Sequence, residues 1–577
     1  MTQHSRTASS AQSAPTEPHP LAQRHRETLD RALTAIMERA YWSPFPEIPS
    51  GKIYGESAHD DGKAAFEALL GSRFELGQPA SEGWVGAERS PYGMDLGVQY
   101  PRVADVEALL TAMREAVPAW RDATPETRAG VCLEILHRLN QASFEIGYAA
   151  MHTTGQGFGM AFQAAGPHAQ DRGLEAVAYA YAEMTRHAGS VTWEKPAGRG
   201  QVLRMDKTYR LVPRGIGLVI GCITFPTWNS YPGLFASLVT GNPVVVKPHP
   251  RAVLPLAITV RVAREVLAEA GFSPDLVTLV AEEPGGRVAS DLATHPAVRL
   301  VDFTGSTEYG EWLERNAHQA EVYTEKAGVN HVVVDSTDDF RGLCDNLAFS
   351  LSLYSGQMCT TPQNILVPRD GIDTDVGHKS FDDVAAGIAG GLERLLADDK
   401  RAAALLGGIV NEGVLERLEK APSYGRVVLE SRAVKHPEFP EATVRTPVLV
   451  ALDAGDREVY AAEHFGPVAF VIATDSTEHS LGILRAVVAE HGALTALVHS
   501  TSEDVLRAAE DSCVDVAVAL SCNLTGGVYV NQSSAFSDFH GTGANPACNA
   551  TLTDAAFVAG RFRVVQSRRP VFAEASA

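Results

Sequence analysis

From residue 211 onward, short apolar stretches alternate with segments long enough for helices. IGLVIGCI (216–223) leads to a helical pattern at about 227–240, and PVVVK (243–247) to one at about 255–270 that Gly271 would close as a C-cap. LVTLV (276–280) leads to a short helix near 287–294, RLVDF (299–303) to one near 307–318, and a fifth strand follows at 321–325. Consecutive strands separated by helices pair in parallel, so this alternation predicts a doubly wound α/β sheet. A second α/β block runs from about 330 to 520, and 577 residues exceed what one core supports, so at least two domains are expected. Ligands of such sheets bind outside the carboxyl ends of the strands. The residues that close each strand are therefore the ones to inspect.

Outside these blocks, residues 24–41 place Leu29, Leu33, Ile36 and Met37 on one helical face. A Pro- and Gly-rich stretch from Trp42 follows, then helical patterns at about 103–120 and 126–150. The stretch RFRVVQSRRPVF (561–572) reads as a strand left over after both domains close, available to pair with another subunit. Residues 1–20 are rich in Ser, Thr and Pro without an apolar block, which reads as a disordered tail rather than a signal peptide. The most apolar run is far too short to cross a bilayer. A net charge of -21 argues against nucleic acid and anionic membrane as partners. Seven scattered cysteines without a CxxC pair suit a reducing compartment, so the cytoplasm is expected. Neither the cysteines nor the 19 histidines have zinc-site spacing, so no metal is expected.

Four strand-end features carry chemistry. Lys247 closes a strand, where an ammonium reaches a nucleotide phosphate or ribose, although a solvated lysine is as common there. FTGSTEYG (303–310) opens a helix, whose free N–H groups hold phosphate; its glycines are spaced G-x-x-x-x-G, unlike the usual dinucleotide fingerprint. Glu325 ends the fifth strand beside small residues, a place for a general base or for a surface carboxylate. Cys359 follows Gly356-Gln357-Met358 and is expected near a helix start, which would favour the thiolate; a buried structural cysteine is the bland alternative.

Together, VVVKP, FTGSTEYG, TEKAG, GQMC and EHFGPV (463–468) resemble the aldehyde dehydrogenase superfamily over about residues 95–570. Glu325 and Cys359 are 34 residues apart (359 − 325), the family's usual gap. The stretches YWSPFPEIPSGKIYGE and SPYGMDLGVQYP are similar to its phenylacetate-degradation branch, PaaN. The resemblance implies two Rossmann-like doubly wound domains with a small β oligomerisation arm. Its divisions would be a tail (1–20), an N-terminal extension (21–95), a cofactor domain (96–325, with 190–211 in the arm), a catalytic domain (326–520), a return to the cofactor domain (521–560) and an arm strand with tail (561–577).

The chemistry it implies is oxidation of an aldehyde, with NADP or NAD as cofactor. Cys359 would form a thiohemiacetal and then a thioester, and Glu325 would activate the water that releases the acid. Lys247 would bind the adenine ribose, Gly305 and Ser306 the pyrophosphate, Glu463 and Phe465 the nicotinamide ribose and ring, and Ile220 and Ile223 would line the crevice. The family's oxyanion asparagine has two candidate positions in IGCITFPTWNSYP. Keeping the distance to Lys-Pro selects Thr224; matching Trp-Asn selects Asn229. The first is preferred here. Pro250, flanked by His249 and Arg251, stands where the family often has a ribose-binding acid, so NADP is expected to be accepted.

The implied substrate is a semialdehyde from aromatic-acid catabolism, with a coenzyme A thioester at its far end as one form. No hydratase-like module follows residue 570, so ring opening would need a separate hydratase partner, and a homodimer or homotetramer is expected. Alternatives at the same fold are a coenzyme A-acylating dehydrogenase or acyl-CoA reductase, and a catalytically quiet member. A cofactor-free hydrolase would need a histidine partner for Cys359, and none is evident in the sequence.

Overall fold

The computed structural model describes residues 17–531 and 535–571. Its first sheet has five parallel strands in the order Val277–Leu279, Val244–Lys247, Ile216–Ile220, Val298–Thr304, Glu321–Glu325. Every residue of Ile216–Ile220 and Val244–Lys247 is buried, as expected of strands covered by helices on both faces. Strand order reverses between Ile216–Ile220 and Val298–Thr304, and that switch point opens a crevice beyond their carboxyl ends.

The second sheet has seven strands in the order Arg426–Leu429, Val448–Asp453, Val468–Thr474, Asn364–Pro368, His331–Val334, Thr495–His499, Ala519–Cys522. All are parallel except the edge strand Arg426–Leu429. The chain passes from one sheet to the other between Glu325 and His331. It comes back alongside the first: Asn549 pairs with Thr324 through its backbone N–H and its side chain, and the Lys326 N–H donates to the Ala547 carbonyl at 2.6 Å.

A three-stranded antiparallel sheet stands apart. Phe562–Pro570 pairs with Gln201–Pro213, which pairs with Ser190–Ala197. The segment read as a leftover strand thus finds its partner within the chain, and residues 572–577 lie outside the described part. Residues 1–16 of the expected tail also lie outside it, whereas Pro20–Arg24 is a helix.

Three local expectations change. The pattern at 126–150 is two helices, Pro125–Gln141 and Ser143–Thr154, broken at Ala142. Met37 is exposed, because helix Arg26–Glu38 buries Leu29, Ala32, Ala35 and Ile36, a stripe that leaves Met37 outside. Helices Phe158–Ala165 and Pro167–Thr185 had no visible amphipathic period, since both are largely buried around their circumference. The N-terminal extension joins the main core: Phe45, Phe66 and Phe74 belong to the same cluster as Val219 and Leu234.

One buried ion pair ties the arm to the first sheet. Arg561, fully buried, makes a bidentate contact with Asp302 at 2.8 and 2.6 Å and donates to Ser237 Oγ at 2.8 Å. Asp302 lies on the strand that leads into the FTGST loop. Removing one member of such a pair leaves the other charge buried and uncompensated. Arg561→Met is therefore expected to cost about 3–5 kcal/mol of stability in urea unfolding; a change under about 1 kcal/mol would mean that the pair is not needed.

Candidate active site

The site is built around a strained turn. Helix Phe340–Ser352 ends, and Tyr354, Ser355 and Gly356 follow with φ of 52°, 50° and 64°. Left-handed backbone at two residues with side chains costs of order 1 kcal/mol or more each. Tyr354 Oη is held by the Thr154 carbonyl, and Ser355 Oγ donates to Leu406 and Arg445 carbonyls at 3.1 and 3.2 Å. At Gly356 a Cβ would come within 2.4 Å of the Gly466 carbonyl, so the GQMC glycine is required by the close approach of the EHFGPV backbone. Gln357 spans Gly408 and Val410. The turn delivers Cys359, whose carbonyl accepts from Asn330 Nδ2 at 2.8 Å.

Cys359 does not begin a helix: it sits in a turn before the strand Asn364–Pro368. The expected helix-dipole stabilisation of its thiolate is absent. Instead burial, followed by the negative charge of Glu325, pushes the thiol well above its ordinary range.

Glu325 is 3% exposed at the end of its strand. Its Oε2 accepts from Asn229 Nδ2 at 2.9 Å and Thr304 Oγ1 at 3.4 Å, and its Oε1 lies 2.9 Å from His540 Nε2. Burial disfavours its charge, but His540 and the hydrogen bonds from Cys359 and Thr304 outweigh that and hold the carboxyl below its usual range.

His540 was missed in the sequence. Its Nε2 also lies 3.5 Å from Cys359 Sγ, so one imidazole bridges the thiol and the carboxylate. A Cys–His pair therefore exists, contrary to the sequence reading. The ring is edge-on to Trp228 at 4.7 Å, and its own carbonyl accepts from Leu552.

Cys359, Asn229 and His540 line one cavity of about 740 Å³, with Phe225 and Trp228 alongside. Thr224 is not part of that wall. Its hydroxyl lies 3.8 Å from Cys222 Sγ and its carbonyl accepts from Gln156. Asn229 sits in the first turn of helix Pro226–Val239, which turns its amide to Glu325 and the cavity. The geometry favours Asn229 over Thr224 as the candidate amide, because Asn229 lines the cavity and reaches Glu325 while Thr224 does not.

A second crevice, about 430 Å³, lies at the switch point and is lined by Ile223, Lys247, His249, Arg251, Glu282 and Asn411. Ile220 closes the neighbouring strand. Lys247, almost wholly buried, is paired with Glu282, a carboxylate the sequence reading did not single out. Burial, then Lys247 and Arg251, push the His249 imidazole down to about 4, so it is neutral near pH 7. Ser306 caps helix Thr307–Asn316, whose N-terminus faces outward from the strand end as phosphate sites require. Gly305 differs from expectation: its N–H donates to the Glu325 carbonyl at 3.1 Å, and its missing Cβ leaves room for the Phe303 ring. On the other side, Phe465 and Ile223 pack on the same small cluster of Ile409, Val410 and Val414, and the Phe465 carbonyl accepts from Arg417. Burial pushes the Glu463 carboxyl up to about 7. The ammonium, the carboxylate able to take ribose hydroxyls and the apolar Ile223 in this crevice fit a nicotinamide dinucleotide.

A doubly wound sheet with a crevice at its switch point, beside a second α/β sheet that contributes a cavity-facing cysteine, is the arrangement of a nicotinamide-dependent dehydrogenase. Residues 96–542 match the aldehyde dehydrogenase family, and the chain belongs to it. It is accordingly an NAD(P)-dependent enzyme. It resembles the crystal structure of an NAD-dependent aldehyde dehydrogenase from Burkholderia multivorans, with 60% identity, 96% of this chain and 100% of that chain covered, and a TM-score of 0.95. Among curated relatives, it is 27% identical to the alpha-ketoglutaric semialdehyde dehydrogenase of Bacillus subtilis (strain 168) over 68% of this chain and 76% of that one. It is 28% identical to the vanillin dehydrogenase of Pseudomonas fluorescens over 69% and 79%. Among the described residues no helix is long and apolar enough to cross a membrane.

An amide aimed at a developing oxyanion contributes about 10²–10³ in kcat. Asn229→Ala is thus expected to lower kcat by about that factor while Thr224→Val stays within about tenfold of the parent; steady-state kinetics with the reverse ranking would restore Thr224.

Proposed function

We propose that this enzyme oxidises aldehydes carried on an uncharged, largely apolar arm to the free carboxylic acid, with NAD preferred. The observation that carries the substrate class is the cavity beside Cys359. Phe225, Trp228, Phe349, Leu353, Tyr529 and Phe539 wall it, with Phe349 stacked on Tyr529 at 3.9 Å. Among the described residues no Lys or Arg lines it. A free carboxylate on the substrate, or the phosphates of coenzyme A, would meet no lysine or arginine among the described lining residues. The likeness to vanillin dehydrogenase supports an aromatic or similarly apolar aldehyde.

In the reaction, the Cys359 sulfur bonds the carbonyl carbon, and the electron pair moves to the oxygen beside Asn229. Ile223 and Phe465 would hold the nicotinamide, which would supply the hydride acceptor. Glu325 and its partners provide the basic centre against which water cleaves the resulting thioester, giving the acid and restoring the thiol. Retention of a buried, ionised Glu325 favours hydrolysis over transfer to coenzyme A.

The phenylacetate reading rests on residues 41–56 and 90–101. For its coenzyme A-linked semialdehyde, the acyl chain would occupy the cavity with the nucleotide outside, and ring opening would fall to a separate hydratase. The preference for NAD rests on Glu282, which already engages the Lys247 ammonium and would oppose a ribose 2′-phosphate, and on the neutrality of His249. Acceptance of NADP, expected from Pro250, remains compatible with Lys247 and Arg251 in the same crevice.

One assay covers these points: nicotinamide reduction with aromatic aldehydes, a carboxylate-bearing semialdehyde and an acyl-CoA semialdehyde, each with NAD or NADP and with or without coenzyme A. Uncharged-arm substrates should turn over without coenzyme A, and kcat/KM for NAD should exceed that for NADP by at least about tenfold, the effect of about 1.4 kcal/mol of repulsion. Turnover confined to the carboxylate-bearing substrate, or an absolute need for coenzyme A, would sink the reading.

The arm supports assembly. Val202, Leu203, Val564 and Val565 are each about half exposed, and Ser190–Ala197 leaves a strand edge unpaired. A second copy is the proposed occupant, giving a homodimer or homotetramer. Light scattering should return a multiple of 61.7 kDa; a monomeric mass would reject it.

A further inference from the structure

We propose that His540 is a catalytic residue that holds Cys359 as a thiolate, forming an imidazolium between Sγ and the Glu325 carboxylate. The inference rests on the dehydrogenase reading and adds a third member to its reacting groups. Three observations carry it. The same Nε2 lies 3.5 Å from Cys359 Sγ and 2.9 Å from Glu325 Oε1. The ring is 7% exposed, yet it lines the cavity, whereas Glu325 does not line it. And Glu325 is already occupied, with Asn229 and Thr304 on its other oxygen.

The electrostatics require such a group. Cys359 is buried beside a carboxylate, and both conditions oppose a thiolate. A cation in contact with the sulfur reverses the balance. Among the described side chains hydrogen-bonded to Sγ, His540 is the one able to become a cation. Proton accounting is simple: the S–H bond breaks, the imidazole gains that proton, and both ring nitrogens then carry hydrogen. Nε2–H donates towards Sγ and Oε1 together, so the imidazolium supports two anions at once. When the thioester is later cleaved, the departing sulfur meets the same cation.

The surroundings fix the ring without competing for it. Trp228 covers one side, with Arg172 beyond it, 5.6 Å over the indole. Cys548, buried, lies next to Gly541. The titratable neighbours of the imidazole are thus Glu325, Cys359 and Cys548, with Arg172 behind Trp228 and Asp538 two residues back along its own segment. Upstream, the Phe536 N–H donates to buried Glu175 at 2.6 Å, pinning the segment to helix Pro167–Thr185. Trp42 packs on Phe536 and Arg39 sits 5.2 Å over Phe539, so the N-terminal extension braces the segment as well.

The test is alkylation of Cys359 by iodoacetamide as a function of pH, without cofactor or substrate, read by peptide mass in parent and His540→Gln enzymes. The parent should keep alkylating at about pH 6.5, where an unassisted thiol is almost wholly protonated. In His540→Gln the rate at about pH 6.5 should fall at least roughly tenfold and then climb with pH as an unassisted thiol does. A variant with the parent's pH profile would overturn the proposal. His540→Ala with added imidazole is the second arm: recovery of alkylation and of kcat supports a proton-accepting cation, and no recovery in a variant with the parent's unfolding temperature overturns it. Failure of the dehydrogenase reading looks different, since aldehyde oxidation would then survive Cys359→Ala.

Discussion

A carboxylate buried at the end of a strand must either find partners or stay neutral, and Glu325, closing the edge strand of the first sheet, is 3% exposed. An unpaired charge at that depth costs several kcal/mol. The partners that meet this cost lie 96, 21 and 215 residues away in sequence: Asn229, Thr304 and His540. They come from the helix after the first strand, from the end of the fourth strand, and from the segment that returns after the second domain. Satisfying one buried charge therefore fixes the relative positions of three parts of the chain. It also hides the carboxylate behind its own partners, so that the cavity presents an amide, an imidazole and a thiol instead.

The thiol is placed by strain, not by a helix. Three consecutive residues with positive φ turn the chain sharply after Ser352, and the turn persists because Thr154, Leu406, Arg445, Gly408 and Val410 supply backbone partners. Several of those contacts reach across to other domain elements. Domain packing and nucleophile placement are consequently one event. The glycine of GQMC and the glycine of EHFGPV face each other at this point, so the two sequence motifs are two sides of a single close approach.

What could be read from the chain follows from how local each signal is. The parallel sheet, Lys247 and Glu325 were legible because strand ends advertise themselves by apolar runs followed by polar or small residues, whereas Cys359 stood out by the Gly-Gln-Met before it. His540 was not, since it lies in a Gly-, Ser- and Asn-rich segment without periodicity, 181 residues from Cys359. Glu282 and Asn330 were equally silent; each follows a strand, but their roles depend on Lys247 and on the Cys359 carbonyl, which only the tertiary fold brings near. The helix start was read to within one residue, so the choice between Thr224 and Asn229 depends on which side chain reaches Glu325 and the cavity, a tertiary relation.

The N-terminal extension takes on meaning from the same geometry. It is not an appended module, because its aromatic residues share the main core. Tyr92 hydroxyl contacts the carbonyls of Gly155 and Gln156, and Gln156 in turn holds the Thr224 carbonyl in the loop before the catalytic helix. Ser43 Oγ donates to buried Asp171, one residue from the Arg172 that backs Trp228. Trp42 and Arg39 reach the segment that carries His540. The extension thus contacts both walls of the cavity while contributing no cavity-lining residue of its own among those described. A return segment with so little regular structure needs bracing from outside if one imidazole is to stay between two anions, and the added N-terminal chain supplies that bracing.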